Sequence, residues 1–314
     1  MPAYSESGIE RRALLPPAHC ASGATITGES RPFARQKTVP IPEETVLPEG
    51  DTIWRAAQRV RTALEGRVVD AAASSARTGL ADRVKGATVE AVESRGKHLL
   101  VHFGNGATLH THLGMQGRWR VTRIRQPMTS QQAEAVLSPK WLFLESSTTR
   151  AVCERAAVIE LLARRDLQAH PVLRGLGPDI LVAGELDDRD PVSRARASLS
   201  PTVGELLLDQ RVVAGIGNIY RCETLFICGV NPFTRVSALQ DAELLKVVDA
   251  ASRLMTSSLE RRHQMWVYRR AGLACRRCGT RIRSVVLGAR NPRTVYWCPH
   301  CQPERDSPET GRCG

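Results

Sequence analysis

Pro48 and Glu49 are two adjacent residues of this 314-residue chain whose types could support covalent chemistry. A proline at a free N-terminus is a secondary amine on a rigid ring. Such an amine attacks the aldehyde carbon of a sugar and forms an iminium, an electron sink of the Schiff-base type. The carboxyl group of Glu49 could then move protons at the same carbon. A proline–glutamate pair is also an ordinary helix start, and Pro42-Glu43 repeats it, so the pair alone leaves both interpretations open.

Four cysteines near the C-terminus have the spacing of metal ligands. Cys275 and Cys278 form one Cys-x-x-Cys unit, and Cys298 and Cys301 form another after nineteen intervening residues. Two such units complete a tetrahedral, closed zinc site. Two disulfides are the alternative, but paired units of this kind favour a metal and a reducing compartment. We therefore predict one structural zinc ion per chain.

Positive charge is concentrated in one region of the chain. The formal net charge is +12, and residues 253–301 alone contain eleven arginines and one glutamate. Such a cluster is typical of a protein that binds a polyanion, most simply a nucleic acid. A solvated surface, the alternative, usually mixes both signs. No apolar run approaches the ~20 residues that span a bilayer, and no secretory signal is visible, so we expect a soluble, cytoplasmic protein.

The first regular element predicted after Pro48 is a helix. Trp54, Ala57, Val60 and Leu64 recur at helical spacing, and Gly66 supplies the stop. This helix would hold the Pro48-Glu49 end in place by packing its apolar stripe on a sheet.

Short strand-like runs follow, and turn residues separate them. They comprise residues 87–93, 98–103, 107–113, 118–122 and 141–144. Their pattern predicts an antiparallel β-sandwich or barrel over residues 67–160. The histidines at 98, 102, 110 and 112 alternate on these strands and could be imagined as a metal cluster. Strand spacing alone gives no convergent geometry, so we interpret them as ordinary strand residues.

Helical periodicity begins at Thr202, with helices predicted over residues 203–210, 219–228 and 241–259. Gly215 and Gly217 in the first connection would let the backbone approach a ligand closely. Asn218 could cap the next helix, whose free amides could bind phosphate. An ordinary helix–helix connection is the alternative.

Five motifs, in this order, resemble those of the formamidopyrimidine-DNA glycosylase and endonuclease VIII family of base-excision-repair enzymes. They are Pro48-Glu49-Gly50-Asp51, Arg95-Gly96-Lys97-His98-Leu99-Leu100, His112-Leu113-Gly114-Met115-Gln116-Gly117, the stretch from Leu207-Leu208-Asp209-Gln210 to Gly217-Asn218, and Val295-Tyr296-Trp297-Cys298-Pro299-His300-Cys301. The opening motif and Trp266-Val267-Tyr268 resemble the actinobacterial endonuclease VIII branch most.

The resemblance implies an α+β multidomain fold. It comprises an N-terminal β-sandwich with a leading helix, a helix–two-turns–helix domain and a C-terminal zinc-finger β-hairpin. The boundaries that we expect are 1–47 for a disordered extension or mis-assigned start, 48–170 for the catalytic β-sandwich, 171–265 for the helix–two-turns–helix domain, 266–302 for the zinc finger and 303–314 for a tail.

The resemblance also implies catalytic roles by position. Pro48 is the Schiff-base nucleophile, and Glu49 is the acid–base group at the deoxyribose. Lys97 contacts a phosphate and donates a proton in β-elimination, and Arg293 acts at the second elimination. Zinc binds to the four cysteines of the two Cys-x-x-Cys units.

Three further residues match DNA-binding positions of the family. Asn218 binds a phosphate of the two-turn motif. Met115 enters the duplex where the damaged base has flipped out, as a flexible apolar side chain can. Its neighbour Gln116 is a weaker assignment, and core packing is the alternative for Met115.

The activity that the resemblance implies is removal of oxidised pyrimidines from DNA, followed by AP lyase cleavage through β,δ-elimination. The protein would bind damaged DNA as a monomer, associated with the nucleoid, and bind no membrane. Two alternatives stay open. A catalytically silent damaged-DNA-binding member would keep the fold without a free Pro48, and a zinc-ribbon regulator would leave the other motifs unexplained.

Three features depart from the family pattern. Arg269 stands where the family has glycine, and Gly175 stands where an arginine usually precedes Leu-Gly-Pro-Asp, with Arg174 one residue earlier. In addition, 47 residues precede Pro48, so its nitrogen is here a tertiary amide with no lone pair for catalysis. We therefore expect the functional polypeptide to begin at Pro48, through initiation at the codon read as Leu47 and removal of the methionine.

Overall fold

The computed structural model describes residues 48–305, apart from 77, 138–139, 189, 262 and 289–291, and no side chains at 187 and 188. The expectations for residues 1–47 and for the tail beyond residue 305 lie outside the described residues. In the described part, no helix combines the length and the apolar character that crossing a membrane requires. The domain boundaries expected from the sequence stay predictions.

Eight α-helices and ten strands are described. The helices are α1 Gly50–Leu64, α2 Leu80–Val84, α3 Ser130–Val136, α4 Glu185–Asp188, α5 Pro191–Ala197, α6 Val203–Leu206, α7 Asn218–Cys228 and α8 Asp241–Glu260. The strands are β1 Ala71–Ser74, β2 Val89–Arg95, β3 His98–Phe103, β4 Ala107–His112, β5 Arg118–Arg123, β6 Leu142–Glu145, β7 Thr149–Glu154, β8 Val158–Ala163, β9 Arg283–Leu287 and β10 Arg293–Trp297. Short 3-10 turns lie at Arg164–Ala169, Leu173–Gly175 and Val236–Ala238.

Two four-stranded antiparallel sheets form the N-terminal part, in the orders β1-β6-β7-β5 and β2-β3-β4-β8. Apolar side chains of both sheets share one core with α1. Leu99 and Leu109 come from one sheet, and Leu142 and Leu144 come from the other. Burying each such side chain contributes about 1.5–3 kcal/mol. This arrangement confirms the predicted β-sandwich with a leading helix.

The leading helix differs from the prediction in the face that it buries. The buried stripe includes Ile53, Ala57, Val60 and Leu64, whereas Trp54 is only half-buried. Ile53 fits the helical repeat with Leu64 as well as Trp54 does. Periodicity alone therefore did not show which of the two neighbours, Ile53 or the bulkier Trp54, is buried. The expectation that Trp54 belongs to the apolar stripe is therefore wrong.

A helical region and a hairpin follow the sandwich. Helices α5 to α8 contribute to a second apolar core, and α7 packs against α8. The hairpin β9-β10 is antiparallel, with Arg293 opposite Leu287, and it packs on the other side of α7. Helix α7 thus lies between the helical core and the hairpin, so its first residues reach both.

Candidate functional site

Glu49 lies at the N-terminus of α7, although the two are 170 residues apart in sequence. It is only 3% exposed, and its carboxylate accepts hydrogen bonds from the backbone N–H groups of Ile219 (2.8 Å) and Tyr220 (3.3 Å). A carboxylate is stabilised there because the first amides of a helix have no intrahelical partner and lie at its positive end. The N-cap of α7 is Gly217, where a Cβ would lie 2.2 Å from Cδ of Glu49. Glycine at this position therefore makes room for the carboxylate.

This contact corrects the expectation for Asn218. Asn218 is the first residue of α7 and not its N-cap, and Glu49 occupies the amides that were expected to bind phosphate. The helix N-terminus thus holds a side chain of the protein itself.

The proton affinity of Glu49 reflects opposing effects. Burial raises the pKa of its carboxyl group, while the charge of Lys97 and the amides of Ile219 and Tyr220 lower it, and the charge of Asp51 raises it again. Burial prevails, so the pKa lies above its ordinary value. A buried carboxyl group of this kind is suited to take up and release a proton during a reaction.

A close backbone contact fixes the segment that carries Pro48 and Glu49. The N–H of Gly50 donates to the carbonyl of Gly215 at 2.9 Å, and a Cβ at Gly50 would lie 2.9 Å from Cα of Gly215. The side chain of Gln210 holds the facing turn, because its Nε2 donates to the carbonyl of Ile216 and its Oε1 accepts from the N–H of Gly215. The half-buried Pro48 is therefore placed beside this turn.

Lys97 reaches the same turn from the β-sandwich. Arg95 pairs with His98, so Gly96 and Lys97 form a two-residue hairpin turn, in which Gly96 has φ of +59°. The N–H of Gly96 donates to Oδ2 of Asp179 at 2.7 Å, and a Cβ at Gly96 would lie 2.9 Å from Cβ of Ala214. Only a glycine turn could pack this closely.

Lys97, Glu49 and Arg293 form one electrostatic cluster. Burial lowers the pKa of the Lys97 ammonium, the charge of Glu49 raises it, and the charge of Arg293 lowers it. The net pKa lies below the ordinary lysine value, so Lys97 gives up its proton more readily than an exposed lysine.

Asn218 joins α7 to the hairpin. Its Nδ2 donates to the carbonyl of Thr294 at 2.9 Å, directly after Arg293 at the start of β10. The structure therefore brings together four residues that the sequence selected far apart: Glu49, Lys97, Asn218 and Arg293.

Arg221 is a residue of this site that the sequence analysis missed. It is completely buried, and its guanidinium donates to Oδ1 of Asn218 and to the carbonyls of Thr294 (3.2 Å) and Gly204 (3.4 Å). Among the described residues, its Nε has no hydrogen-bond partner, and no carboxylate bonds to the guanidinium. Burial lowers the pKa of Arg221. The sequence signal that could have identified Arg221 is its position three residues after Asn218, which places both residues on the same face of the helix.

Met115 and Gln116 lie on an exposed loop after β4. Met115 is 54% exposed, which excludes core packing for its side chain. The N–H of Gly117 donates to the carbonyl of Leu113, and a Cβ at Gly117 would lie 2.4 Å from that oxygen. The loop is thus a tight turn that presents Met115 and Gln116 outward, next to His112, whose pKa is lowered mainly by burial and then by the charge of Lys97.

The four cysteines of the hairpin region converge as predicted. Their sulfur atoms all lie within 4.8 Å of one another, with 3.9 Å between Cys275 and Cys301 and 3.5 Å between Cys278 and Cys298. Four sulfurs around one zinc ion at ~2.3 Å lie about 3.8 Å apart, so the set fits tetrahedral zinc. Zinc there would cross-link the two ends of the hairpin that carries Arg293.

Histidines of β3 and β4 do converge, contrary to the expectation. Nδ1 of His98 lies 2.8 Å from Nε2 of His110, and Nδ1 of His110 lies 3.0 Å from Oε2 of Glu160. His170, which the sequence analysis did not consider, places Nε2 at 3.1 Å from the same oxygen. The backbone N–H of Leu173 donates to Nδ1 of His170 at 3.2 Å.

This chain of side chains is a hydrogen-bond network. The ligand atoms of His110, Glu160 and His170 lie within 4.8 Å of one another, a spacing that could suit a metal ion. However, the bond from Leu173 leaves the proton of a neutral His170 on Nε2, the nitrogen that would have to face the ion. Burial lowers the pKa of His98 to about 3 and also lowers that of His110, so both rings are neutral and can share single protons along the chain.

Family models match three consecutive parts of the chain. The formamidopyrimidine-DNA glycosylase N-terminal domain matches residues 47–156, and the formamidopyrimidine-DNA glycosylase H2TH domain matches residues 176–268. The zinc finger found in FPG and IleRS matches residues 272–303.

Two similar sequences extend over nearly their whole length. "Endonuclease 8 2" of Mycobacterium bovis is 37% identical over 269 residues, which cover 82% of this chain and 100% of the relative. "Probable endonuclease 8 2" of Streptomyces coelicolor is 34% identical over 278 residues, which cover 85% and 98%.

A solved structure shares the fold. Lactococcus lactis formamidopyrimidine-DNA glycosylase, bound non-covalently to DNA containing an AP site, superimposes with a TM-score of 0.69 at 19% identity, over 82% of this chain and 100% of that one.

Proposed function

The chain belongs to the formamidopyrimidine-DNA glycosylase and endonuclease 8 family, and from this premise we propose how it acts: as a bifunctional DNA glycosylase and AP lyase that removes oxidised pyrimidines through Pro48. The single observation that supports these roles best is the convergence of Glu49, Lys97 and Arg293 beside Pro48. A carboxyl group of raised pKa and an ammonium of lowered pKa, within electrostatic reach of each other, are suited to proton transfer.

Pro48 starts the reaction as the nucleophile. Its nitrogen attacks C1′ of the damaged nucleotide, so an N–C1′ bond forms while the bond from C1′ to the base breaks. The base leaves with the bonding electrons and takes up a proton, and the sugar ring opens to the iminium. Glu49, immediately beside the nucleophile, passes a proton to the deoxyribose ring oxygen as the ring opens, and the proline nitrogen gives up its own proton as the iminium forms.

Lys97 and Arg293 serve the elimination steps. The iminium makes a C2′ proton acidic, and its loss expels the 3′ phosphate; a second elimination expels the 5′ phosphate. Lys97 donates a proton during the first elimination. The Arg293 cation stabilises the departing phosphate in the second elimination. Arg221 holds Asn218 and the start of β10 together, so Asn218 and Arg293 can bind the DNA phosphates in a fixed geometry.

Met115 and Gln116 act on the duplex itself. An exposed, flexible apolar side chain on a tight turn can fill the gap that a flipped-out nucleotide leaves. The zinc ion acts structurally and keeps the hairpin rigid under Arg293. We also propose that the protein acts as a monomer on nucleoid DNA in the cytoplasm.

The chemistry requires Pro48 to be the first residue of the active polypeptide. An amide nitrogen carries no basic lone pair, so an attached Leu47 would prevent attack on C1′. Two observations support processing or initiation at this point: the family match begins at residue 47, and 82% of the chain spans the whole of the Mycobacterium bovis relative. If the preceding residues stay attached, the alternative is a damage-binding protein without catalysis.

Borohydride trapping on defined duplexes tests the proposal. The chain beginning at Pro48 should form a reduced covalent adduct with a duplex containing an oxidised pyrimidine, and less with one containing 8-oxoguanine or no lesion. Glu49→Gln is the matched control, because it keeps the volume of the side chain and removes its proton exchange. Tight binding to the lesion duplex without any adduct would favour the damage-binding alternative, and equal trapping on oxidised purines would contradict the pyrimidine assignment.

A further inference from the structure

Arg269 has a backbone conformation that an arginine rarely adopts. The N–H of Arg270 donates to the carbonyl of Val267 at 3.0 Å, which closes a four-residue turn with Arg269 at the third position. Its φ is +56°, in the left-handed region where such turns favour glycine or asparagine. An arginine at this position therefore costs stability that a glycine would not.

A buried carboxylate imposes this turn on the chain. Glu223 of α7 is 4% exposed and accepts hydrogen bonds from three consecutive backbone N–H groups, those of Trp266 (2.7 Å), Val267 (3.0 Å) and Tyr268 (2.8 Å). The backbone just before Arg269 is thus held by α7, and the left-handed residue cannot relax without breaking these bonds. Strain that surrounding structure maintains in this way concentrates at functional positions.

The guanidinium of Arg269 gains little from the protein itself. It is exposed, and its Cζ lies 5.7 Å from the centroid of the Tyr268 ring. Within the described part of the chain, it makes no ion pair or hydrogen bond. Among the described residues, this cation–π contact is the one interaction observed that could offset part of the cost of its backbone conformation, and at an exposed site it contributes only about 0.5–1 kcal/mol.

The position of Arg269 is on the side of the active site. The ring of Tyr268 packs edge-on against Tyr296 at 5.3 Å, and Tyr296 follows Arg293 on β10. Burial raises the pKa of Tyr268, Arg269 lowers it, and the charge of Glu49 raises it, so Tyr268 lies within electrostatic reach of the catalytic carboxylate. Arg269 thus adds an exposed cation next to Tyr268, whose ring contacts the strand that carries Arg293.

We propose that Arg269 is an additional DNA-phosphate contact of this chain, held toward the bound strand by the left-handed turn. The inference rests on the proposed function, because that function places the bound DNA at the site of Glu49, Lys97 and Arg293. The phosphate supplies the counter-charge that the free protein lacks, and the fixed backbone reduces the freedom that the side chain must lose on binding.

Two substitutions separate the charge from the backbone strain. Arg269→Gly and Arg269→Asn both remove the cation and place a residue that tolerates positive φ. The control is Arg59→Ala, which removes an exposed arginine about 15 Å along α1 from Glu49. Binding is measured on an undamaged duplex and on a duplex with a non-cleavable abasic-site analogue, over a series of salt concentrations, together with the thermal midpoint.

Both Arg269 variants should bind either duplex about 3- to 10-fold more weakly and lose roughly one unit of the slope of log affinity against log salt concentration. Their thermal midpoints should stay equal to or rise about 2 °C above the wild type, while Arg59→Ala keeps the wild-type slope. Unchanged affinity and slope would overturn the inference. A loss confined to the abasic duplex, with unchanged slope, would also overturn it, because that pattern indicates contact with the lesion site instead of a phosphate.

Failure of the proposed function has a different signature. In that case the wild-type chain beginning at Pro48 forms no borohydride adduct with an oxidised-pyrimidine duplex, yet the Arg269-dependent slope is still measured.

Discussion

Glu49 has a structural role and a proposed catalytic role. Its carboxylate accepts hydrogen bonds from the first amides of α7, and it lies beside Pro48 and within electrostatic reach of Lys97. The sequence motif predicted the second role only. The first depends on a contact across 170 residues, and the signal for it is the glycine at 217, whose meaning becomes clear only when the carboxylate occupies the space of its missing Cβ. Local patterns favoured Asn218 as the cap, and a tertiary contact overrode them.

Glu49→Gln should abolish covalent trapping without lowering stability at neutral pH. Burial raises the folded-state pKa of Glu49 above its unfolded value of about 4.3, so wild-type stability falls as the pH rises through the folded-state pKa. A glutamine does not titrate, so the variant does not lose stability in this way as the pH rises. Thermal unfolding of both proteins, measured from about pH 4.3 upward, should show the midpoint of the variant rising relative to the wild type. A relative fall with increasing pH would contradict the assignment.

Arg221→Met should weaken DNA binding while leaving the protein folded. Removing a buried charge that has no bonded carboxylate also removes its desolvation cost, which offsets part of the cost of leaving its hydrogen-bond acceptors without a donor. The variant loses the guanidinium bonds to Oδ1 of Asn218 and to the carbonyl of Thr294, which leaves only the direct bond from Asn218 to hold that contact, so binding should fall about tenfold, or roughly 1.4 kcal/mol.

The comparison for this prediction is Arg221→Lys, which keeps a charge but loses the planar fork of donors. It should also bind weakly, because geometry matters more than charge at this position. Normal binding with a strongly lowered thermal midpoint in Arg221→Met would mean that Arg221 serves stability alone.

At the scale of elements, the sequence predicted strands and long helices well. The run 98–103 coincides with β3, and the predicted helix 241–259 corresponds to α8. The short, largely apolar run in β3 and the helical repetition in α8 are local signals that packing did not override. The helix predicted over residues 203–210 ends at Leu206, because the side chain of Gln210 instead holds the turn that faces Gly50. Strands β1, β7 and β8 were missed, since their short runs lack a distinct alternation.

Arg293→Ala should separate the two strand cleavages. Arg293 starts β10, and its charge acts on Lys97 and on the buried Arg221. Base release should therefore stay within about threefold of wild type, whereas the second elimination should fall by about tenfold or more. Resolving the two elimination products on denaturing gels gives both rates.

The matched comparison is Arg283→Ala, at the far end of the same hairpin opposite Trp297. It should leave both rates unchanged. Equal losses of base release and second cleavage in Arg293→Ala would show that the residue acts at the sugar and not at the departing phosphate.

For the whole molecule, the sequence already predicted the β-sandwich, the helical region, the zinc hairpin and the family, all of which are confirmed. It could do so because each part carries its own local motif. It did not predict the buried bonds that join the parts, such as Gly96 to Asp179 and Asn218 to Thr294. These bonds depend on the relative placement of segments that no local pattern encodes.

DNA affinity should depend steeply on salt. Eleven arginines between residues 253 and 301 include Arg269 and Arg293 on the side of the site, and each phosphate contact releases bound counter-ions. Raising the salt concentration from about 50 to 200 mM should lower the affinity by two decades or more. A flat response in a fluorescence-anisotropy titration would exclude the arginine-rich region as the docking surface.

The measurement that tests the central claim most directly is the location of the covalent adduct. A chain beginning at Pro48 is reacted with an abasic-site duplex in the presence of borohydride, digested, and analysed by mass spectrometry beside a chain that begins at Met1 and stays unprocessed. We predict that the DNA remnant lies on the nitrogen of Pro48 in the first chain and that the second chain forms no adduct. An adduct on any other residue, or equal trapping by the unprocessed chain, would contradict the account.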